Sequence, residues 1–233
     1  MIKPTPGSEK ERLDALFCYI NSTCPISQRS WESICSILVL KKAQKGERLL
    51  DYMHVENSIR FLTHGIVKCE DHFNSQSFVY DFRVAPIILS ETFSFFNNTP
   101  SRITLEAITD CEFIDLPRFA MTNIIFSNLD LAKFATIGTA NYLGLMHYKH
   151  ALLRTLDASQ RYKHFLREYP KVALLAKLSD IASYIGITQQ SLSRLRRSIT
   201  WNDNEYDLQT LSNVLDVISA TQGKPINRYS AFR

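Results

Sequence analysis

A cluster of hydrogen-bonding and cationic side chains lies near the C-terminal end of the chain, in the stretch SDIASYIGITQQSLSRLRR from Ser179 to Arg197. Gln189, Gln190 and Arg194 belong to this cluster. In the major groove of DNA, glutamine can form two hydrogen bonds with adenine, and arginine can form two with guanine. We therefore interpret these three residues as candidates for reading bases.

A second group of side chains in the same part of the chain is suited to phosphate contacts. Such contacts fix the position of a protein on DNA without reading its sequence. The candidates are Lys171, Thr188, Ser191, Ser193, Arg196 and Arg197. The alternative interpretation is a helical hairpin of an ordinary globular protein, in which these polar side chains are only solvated.

Two short helices are needed to position these side chains, and the sequence predicts them over 178–184 and 189–197 because small and aliphatic residues recur on one face of each. Gly186 lies between them, where a helix can end in the left-handed conformation at least cost. Thr188 is a suitable N-cap for the second helix. Two helices joined by so short a turn form a helix-turn-helix, whose second helix enters the major groove.

The positive charge of the chain is concentrated around this predicted motif. The whole chain carries a net charge of +4, whereas residues 157–200 alone hold eight Lys or Arg and three Asp or Glu, a net charge of +5. A concentrated basic region favours a polyanionic partner such as DNA. A solvated charged face is the alternative.

The rest of the chain predicts a β-rich region followed by one long helix. Between residues 37 and 116, short apolar or alternating runs are separated by Gly, Pro and Asn, which is typical of a β-sandwich or roll. Residues 127–156 then repeat apolar positions at helical spacing without a proline. We predict that this helix forms a dimer seam, with Leu145 and Leu152 in it. A core helix of a larger helical domain is the alternative.

Composition argues against several other classes of protein. The five cysteines include no C-x-x-C pair, so neither a disulfide framework nor a zinc site is expected. No apolar run approaches the ~20 residues that span a bilayer, and the first residues do not resemble a signal peptide, so we expect a cytoplasmic protein that does not bind membranes. We predict no enzymatic activity. The alternative is a carbohydrate-processing enzyme on a cupin-like roll, which needs clustered His and carboxylate ligands, but His54, His64 and His72 do not show that spacing.

The order of these elements, together with LSDIASYIGITQQSLSRLRR, resembles the CRP/FNR family of bacterial transcription regulators. The resemblance covers roughly residues 30–200 and extends to KKAQKGERLL, FLTHGIVK, TPSRITLEAITDCEFIDLPR and RYKHFLREYP. It implies an α+β fold with an N-terminal jelly roll like a cyclic-nucleotide-binding domain, a long dimerisation helix and a C-terminal winged helix-turn-helix. The expected bounds of these parts are 1–126, 127–156 and 157–233.

The resemblance also implies partners and residue roles. The protein is expected to be a homodimer that binds double-stranded DNA, with RNA polymerase as a further partner. Gln189, Gln190 and Arg194 fall on the base-reading positions of the family. SITWNDNEYDL, after Arg197, predicts the wing hairpin, and LQTLSNVLDVIS predicts a further helix.

The effector pocket is the part where this sequence departs from the family. Cyclic-nucleotide binders of the family have a Gly-Glu pair and an Arg followed by Ser or Thr, whereas this chain has Ser90-Glu91 and Ser101-Arg102. Because a shift of one residue turns a strand side chain to the opposite face, we expect Ser101 to point inward. Arg102 should point outward, or pair with an acid such as Glu106.

Glu91, Ser101 and Arg102 remain the effector-pocket candidates, but we expect no cofactor and no cyclic AMP bound in the usual way of the family. The roll is expected either to be filled by Phe93, Phe95 and Phe96 or to take another, unknown effector. The alternative to a DNA-binding regulator is a small-molecule or cyclic-nucleotide sensor whose helix-turn-helix is vestigial. Salt-dependent binding to duplex DNA separates the two.

Overall fold

The computed structural model of the chain describes residues 8–198. The expected wing hairpin and the helix expected after it lie outside the described residues. The chain begins with two helices, α1 (Glu9–Thr23) and α2 (Gln28–Cys35). A reciprocal capping box begins α1, because Ser8 and Glu11 each accept the backbone N–H of the other.

Eight antiparallel strands follow and form the predicted roll. They are β1 (Val39–Ala43), β2 (Arg48–Leu50), β3 (Ser58–His64), β4 (Ile66–Phe73), β5 (Gln76–Val84), β6 (Ile87–Leu89), β7 (Ile103–Ala107) and β8 (Cys111–Pro117), with α3 (Thr92–Asn97) between β6 and β7. The two sheets have the strand orders β1-β8-β3-β6 and β2-β7-β4-β5. Their facing sides enclose a mainly aliphatic core, and the fully buried Leu62 and Val67 belong to it.

Tight turns join these strands where the sequence predicts them. Asn74 and Ser75 connect β4 to β5, both with positive φ (48° and 60°), which is the turn geometry that matches the twist of a hairpin. Gly65 connects β3 to β4 with φ of 103°, and a Cβ there would lie only 2.6 Å from the carbonyl oxygen of Asp110. Glycine is therefore required at this position both by conformation and by space.

The C-terminal part of the described chain is helical. Its helices are α4 (Arg118–Ser127), α5 (Leu129–Thr155), α6 (Ala158–Glu168), α7 (Pro170–Leu175), α8 (Leu178–Tyr184) and α9 (Gln189–Ser198). The roll, the long helix and the helix-turn-helix are thus confirmed as elements. Among residues 8–198, no helix is both long and apolar enough to cross a membrane.

The side of α5 that the sequence predicted to form the dimer seam faces the rest of the same protomer instead. Leu152 is 6% exposed, and Leu145 lines a cavity between α5 and the roll. A charge at either position would therefore disturb the protomer itself. The outer side of α5 carries another heptad-spaced set, exposed or half-buried, which consists of Ala132, Thr136, Thr139, Leu143, Met146, His150 and Leu153.

The helix-turn-helix does not project freely from the roll but shares a core with it. Phe82 of β5 contacts the rings of Phe165 and Tyr184, at centroid distances of 6.0 and 5.5 Å. The buried Ile181 and Leu192 belong to the same apolar cluster. The position of the motif is therefore set by packing against β4 and β5.

Candidate nucleic-acid interface and effector pocket

The turn between α8 and α9 has the backbone geometry of a Schellman motif. Gly186 has φ of +72°, its N–H donates to the Ser183 carbonyl at 3.1 Å, and the N–H of Ile187 donates to the Ala182 carbonyl at 3.0 Å. These bonds satisfy carbonyls that would be unpaired at the end of α8. The turn therefore holds α9 at a fixed angle to α8.

The beginning of α9 is fixed by Thr188. Its Oγ1 accepts the N–H of Ser191 at 3.1 Å, which is N-cap geometry. The two hydroxyl oxygens also lie 2.9 Å apart and share a hydrogen bond. Both side chains are exposed, but their first role is to cap the helix. A phosphate contact from either stays a prediction.

The two sides of α9 differ sharply in burial. Leu192 is fully buried in the shared core and Leu195 packs against the same cluster. At 100° per residue, the opposite side presents one continuous polar face. That face consists of Gln189, Gln190, Ser193, Arg194 and Arg197, all of them exposed except the half-buried Ser193. Gln190 and Arg194 therefore lie on the side that points away from the protein, and Gln189 lies at the edge of this face, on the flank that also carries Arg196.

The cations near this face are available to an external partner. Arg194, Arg196 and Arg197 are exposed, and none of them forms an ion pair within residues 8–198. Arg196 lies on the flank of α9 nearer Leu192. Lys171 is exposed at the start of α7.

Polar contacts add to the apolar packing between α8 and the roll. The N–H of Val79 in β5 donates to Ser183 Oγ at 2.9 Å. Lys68 Nζ lies 3.8 Å from Asp180 Oδ1. Burial raises the pKa of the Asp180 carboxyl, although the charge of Lys68 opposes this shift. These contacts orient α8, and through it α9.

Of the effector-pocket candidates, Glu91 has a structural role. It is the N-cap of α3, and its carboxylate accepts the N–H groups of Phe93 at 3.1 Å and Ser94 at 2.6 Å. A carboxylate that caps a helix in this way has fewer acceptor positions left for a ribose hydroxyl.

Ser101 is fully buried, as expected, and its hydroxyl is satisfied locally. Its Oγ donates to the Ile103 carbonyl at 3.1 Å and accepts the Ile103 N–H at 2.9 Å. Arg102 points outward, with 62% of its side chain exposed, and donates to both carboxylate oxygens of Asp71 at 3.0 and 3.1 Å. The outward direction is confirmed.

Arg102 pairs with an acid as expected, but that acid is Asp71 and not Glu106. Asp71 takes this place because β4 lies beside β7 and Asp71 is opposite Ile103, whereas Glu106 lies four residues farther along the same strand and pairs with Lys68 at 3.4 Å. Arg102, the basic residue of the Ser101-Arg102 pair, therefore does not point into the roll.

The expectation that aromatic residues fill the roll was also wrong. Phe93 and Phe96 are 68% and 40% exposed, and the buried Phe95 packs in the cluster outside the roll. Instead, aliphatic side chains of the facing sheets fill the interior, because alternate strand positions point inward.

Two of the three histidines of the metal-site alternative lie within hydrogen-bonding distance of other groups. His72 Nε2 is hydrogen-bonded with Thr104 Oγ1 at 2.9 Å, and His54 Nδ1 lies 3.2 Å from the carbonyl oxygen of Tyr52. Within the described part of the chain, no three His, Cys, Asp or Glu side chains are arranged to hold a metal ion.

A buried charge cluster joins the roll to the helical part, and sequence reasoning missed it. Asp81, 1% exposed, forms an ion pair with Arg83, whose Nε lies 2.9 Å from the carboxylate, and accepts a hydrogen bond from Lys149. Lys149 also donates to the Tyr169 hydroxyl at 3.0 Å. Burial would raise the pKa of Asp81, but the two cations hold it below its usual value. An Asp and an Arg inside the apolar strand SFVYDFRV were the signal that could have indicated it.

No family model and no curated protein matches the sequence, but solved structures match the fold. A protein described as a transcriptional regulator of the CRP/FNR family from Eubacterium rectale has a TM-score of 0.63 at 12% identity, over 74% of this chain and 82% of that one. This chain has the CRP/FNR fold.

Two further structures support this fold. FixK2 from Bradyrhizobium japonicum has a TM-score of 0.59 at 17% identity, over 76% of this chain and 97% of that one. The c-di-GMP-responsive global regulator CLP from Xanthomonas campestris has a TM-score of 0.59 at 12% identity, over 80% and 92%. In CRP/FNR terms, α9 is the second helix of the helix-turn-helix, and the roll is the part that resembles a cyclic-nucleotide-binding domain.

Proposed function

We propose that this protein is a dimeric DNA-binding transcription regulator that reads an inverted-repeat operator with α9. The observation that carries the proposal is the polar face of α9, where Gln189, Gln190 and Arg194 are exposed beside arginines that have no ion pair in the described chain. Glutamine and arginine side chains on one helix face suit adenine and guanine edges in the major groove.

The remaining polar residues of this part are proposed to contact phosphate. They lie around the base-reading residues and at the start of α7, and comprise Lys171, Thr188, Ser191, Ser193, Arg196 and Arg197. Contacts of this kind make affinity depend strongly on salt, because each neutralised phosphate releases condensed counterions.

The proposed dimer uses the outer side of α5. Leu143 and Leu153 are exposed there, at 56% and 47%, and belong to the heptad-spaced set of that side. A symmetric pair of these helices would place two copies of α9 on DNA, with half-sites about one helical turn, ~34 Å, apart. The domain bounds 1–126, 127–156 and 157–233 are part of the same proposal.

Selection of duplex fragments from a random pool tests the proposal directly. We expect an inverted repeat to be enriched, and its affinity, measured by fluorescence anisotropy, to fall linearly on a log–log plot against salt concentration. A pool without enrichment, together with salt-independent binding, would instead indicate a sensor with a vestigial helix-turn-helix.

A further inference from the structure

A cavity of about 350 Å³ lies outside the roll, between the sheet that contains β3 and β6, the N-terminal helices and α5. It is distinct from the family's effector position, because Glu91, Ser101 and Arg102 do not line it. Its volume falls within the ~300–1,000 Å³ of small-molecule sites. No residue of the helix-turn-helix face proposed to read DNA takes part in it.

One end of the cavity is apolar. Side chains from α1, α2, β3, α4 and α5 form it, among them Leu16, Ile34, Phe61, Met121 and Leu131. The middle of the cavity runs beside Gly138 of α5, where a Cβ would meet nothing within 4 Å. This end therefore fits a flexible hydrocarbon chain.

The other end of the cavity is polar and cationic. Arg83 and Lys149 both line it, and they share the single carboxylate of Asp81. Glu168 also lines the cavity, so its carboxylate contributes a negative charge to the lining, and it forms a contact within the protein. Lys149 also donates to the Tyr169 hydroxyl, and Arg83 is hydrogen-bonded to Tyr142. A guanidinium has five N–H donors and an ammonium has three, so a second anionic acceptor can still be bound by both cations.

Two further polar atoms at the cavity wall are without a hydrogen bond in the described part of the chain. Ser90 Oγ and His164 Nδ1 are buried, and neither has a hydrogen bond within residues 8–198. Buried polar atoms without a partner are uncommon in folded proteins, and these two are available to hydrogen-bond with a group bound in the cavity.

We propose that this cavity binds a linear amphiphile with one carboxylate, of the fatty-acid class. The hydrocarbon chain occupies the apolar end, and the carboxylate accepts from Arg83, Lys149 and the Ser90 hydroxyl. A cationic ligand does not meet both requirements, because the polar end already holds two cations.

The bound carboxylate would act on the helix-turn-helix through Tyr169. Lys149 donates to the Tyr169 hydroxyl, and the Tyr169 ring contacts Tyr184 of α8 at a centroid distance of 5.7 Å. Drawing Lys149 toward a ligand therefore alters a contact that positions α8 on the roll. This regulatory step rests on the proposed DNA-binding function, whereas the binding of the ligand does not.

Titration calorimetry on the full chain tests the ligand class with three probes of equal chain length. Dodecanoate is expected to bind with a dissociation constant below about 10 µM. Dodecan-1-ol should bind at least about tenfold more weakly, since it lacks the charge-assisted hydrogen bonds. Dodecyltrimethylammonium should not bind measurably. Equal affinity for all three probes, or no binding of dodecanoate, overturns the proposal.

A variant that fills the cavity tests the location. Gly138→Leu places a side chain in the open space beside α5 and leaves the charge cluster intact, so it should fold and lose dodecanoate binding by at least about tenfold. Ala140→Leu is the matched control, because Ala140 is exposed and does not line the cavity. Unchanged dodecanoate binding by a folded Gly138→Leu protein would show that the ligand binds elsewhere.

Operator binding measured with and without dodecanoate separates the two proposals. A changed operator affinity in wild type, absent in Gly138→Leu, supports the regulatory role. Dodecanoate binding without any effect on the operator overturns the regulatory step alone. Absence of operator binding in both conditions overturns the proposed function and leaves the cavity assignment to the calorimetry.

Discussion

The arginines of the roll and those of α9 differ in what surrounds them. Within residues 39–117, all four arginines are paired with a carboxylate, and they are Arg48, Arg60, Arg83 and Arg102. The three arginines of α9 are exposed and have no ion pair in the described chain. The charges of the roll are neutralised within the fold, whereas those of α9 remain available to the polyanion that we propose as the partner.

The same contrast predicts where substitutions should act. Removing a cation from the roll leaves a carboxylate without its partner and should reduce stability, most of all where that carboxylate is buried. Removing a cation from α9 leaves nothing unpaired and should reduce only DNA binding. Each of the following experiments tests one side of this comparison.

The largest effect on stability is expected at Arg60. Its guanidinium donates to Glu56, which is fully buried, at 2.9 and 3.0 Å. Burial raises the pKa of the Glu56 carboxyl and Arg60 opposes that shift. Arg60→Met should lower the free energy of unfolding in urea by about 3–5 kcal/mol, because it leaves a buried charge without a partner. Arg102→Ala, which breaks the exposed pair with Asp71, is the control and should cost at most about 1 kcal/mol. Equal costs would contradict the comparison.

The next prediction concerns the proposed dimer, whose disruption should weaken operator binding. Leu143→Asp places a charge on the outer side of α5 and should give monomers by analytical ultracentrifugation. Loss of bivalent binding then weakens operator affinity by about 10²–10⁴-fold. Leu152→Asp should instead destabilise the protomer, because Leu152 is buried within it. A dimer that survives Leu143→Asp would show that another surface forms the interface.

The stability of the folded protein should decrease in acid because of His164. Burial lowers the pKa of His164 to about 4, with the charges of Arg167 and Lys149 adding to the shift. Between about pH 6.5 and 4 the unfolded chain binds this proton and the folded chain does not, so stability falls as pH decreases through that window.

This group should contribute a loss of about 2 kcal/mol between pH 7 and pH 5. The free energy of unfolding of His164→Gln should fall less over the same interval. His147→Gln, at an exposed position of α5, should behave as wild type. Identical pH profiles for all three proteins would place His164 in an unperturbed environment.

Substitutions on α9 should affect specificity and not stability. Arg194→Ala should cost about 1–3 kcal/mol in operator affinity and relax the preference at one base position. Arg197→Ala should weaken binding to all sequences alike. Both variants should unfold at the same urea concentration as wild type. If neither substitution changes binding, α9 does not read the operator.

Local signals made the helix-turn-helix predictable. Gly186 predicted the left-handed end of α8 and Thr188 predicted the start of α9, and each depends on bonds between residues a few positions apart. The strands of the roll were predictable for a similar reason, since alternation and turn residues act over short stretches. The outward direction of Arg102 followed from its register alone.

The features that the sequence did not predict have a different physical origin, because they depend on contacts between segments that are distant in the chain. Helical spacing correctly grouped Leu145 with Leu152 on one side of α5, but it could not show whether that side meets a second subunit or the protomer's own roll. Strand register turned Arg102 outward, but its partner Asp71 comes from the neighbouring strand, 31 residues away in sequence. The cavity could not be predicted from the sequence for the same reason, because its walls come from segments distant in the chain.

The sequence by itself therefore determined the elements, their turns and the residue types on the outer side of α9, because these depend on backbone geometry and spacing within a few residues. Only the tertiary structure decided which sides of α5 and β5 are covered, and by what. Asp81, Arg83 and Lys149 become one charge cluster only when α5 packs on the roll. Burial then fixes their pairing, because a charge removed from water must find a partner within the fold.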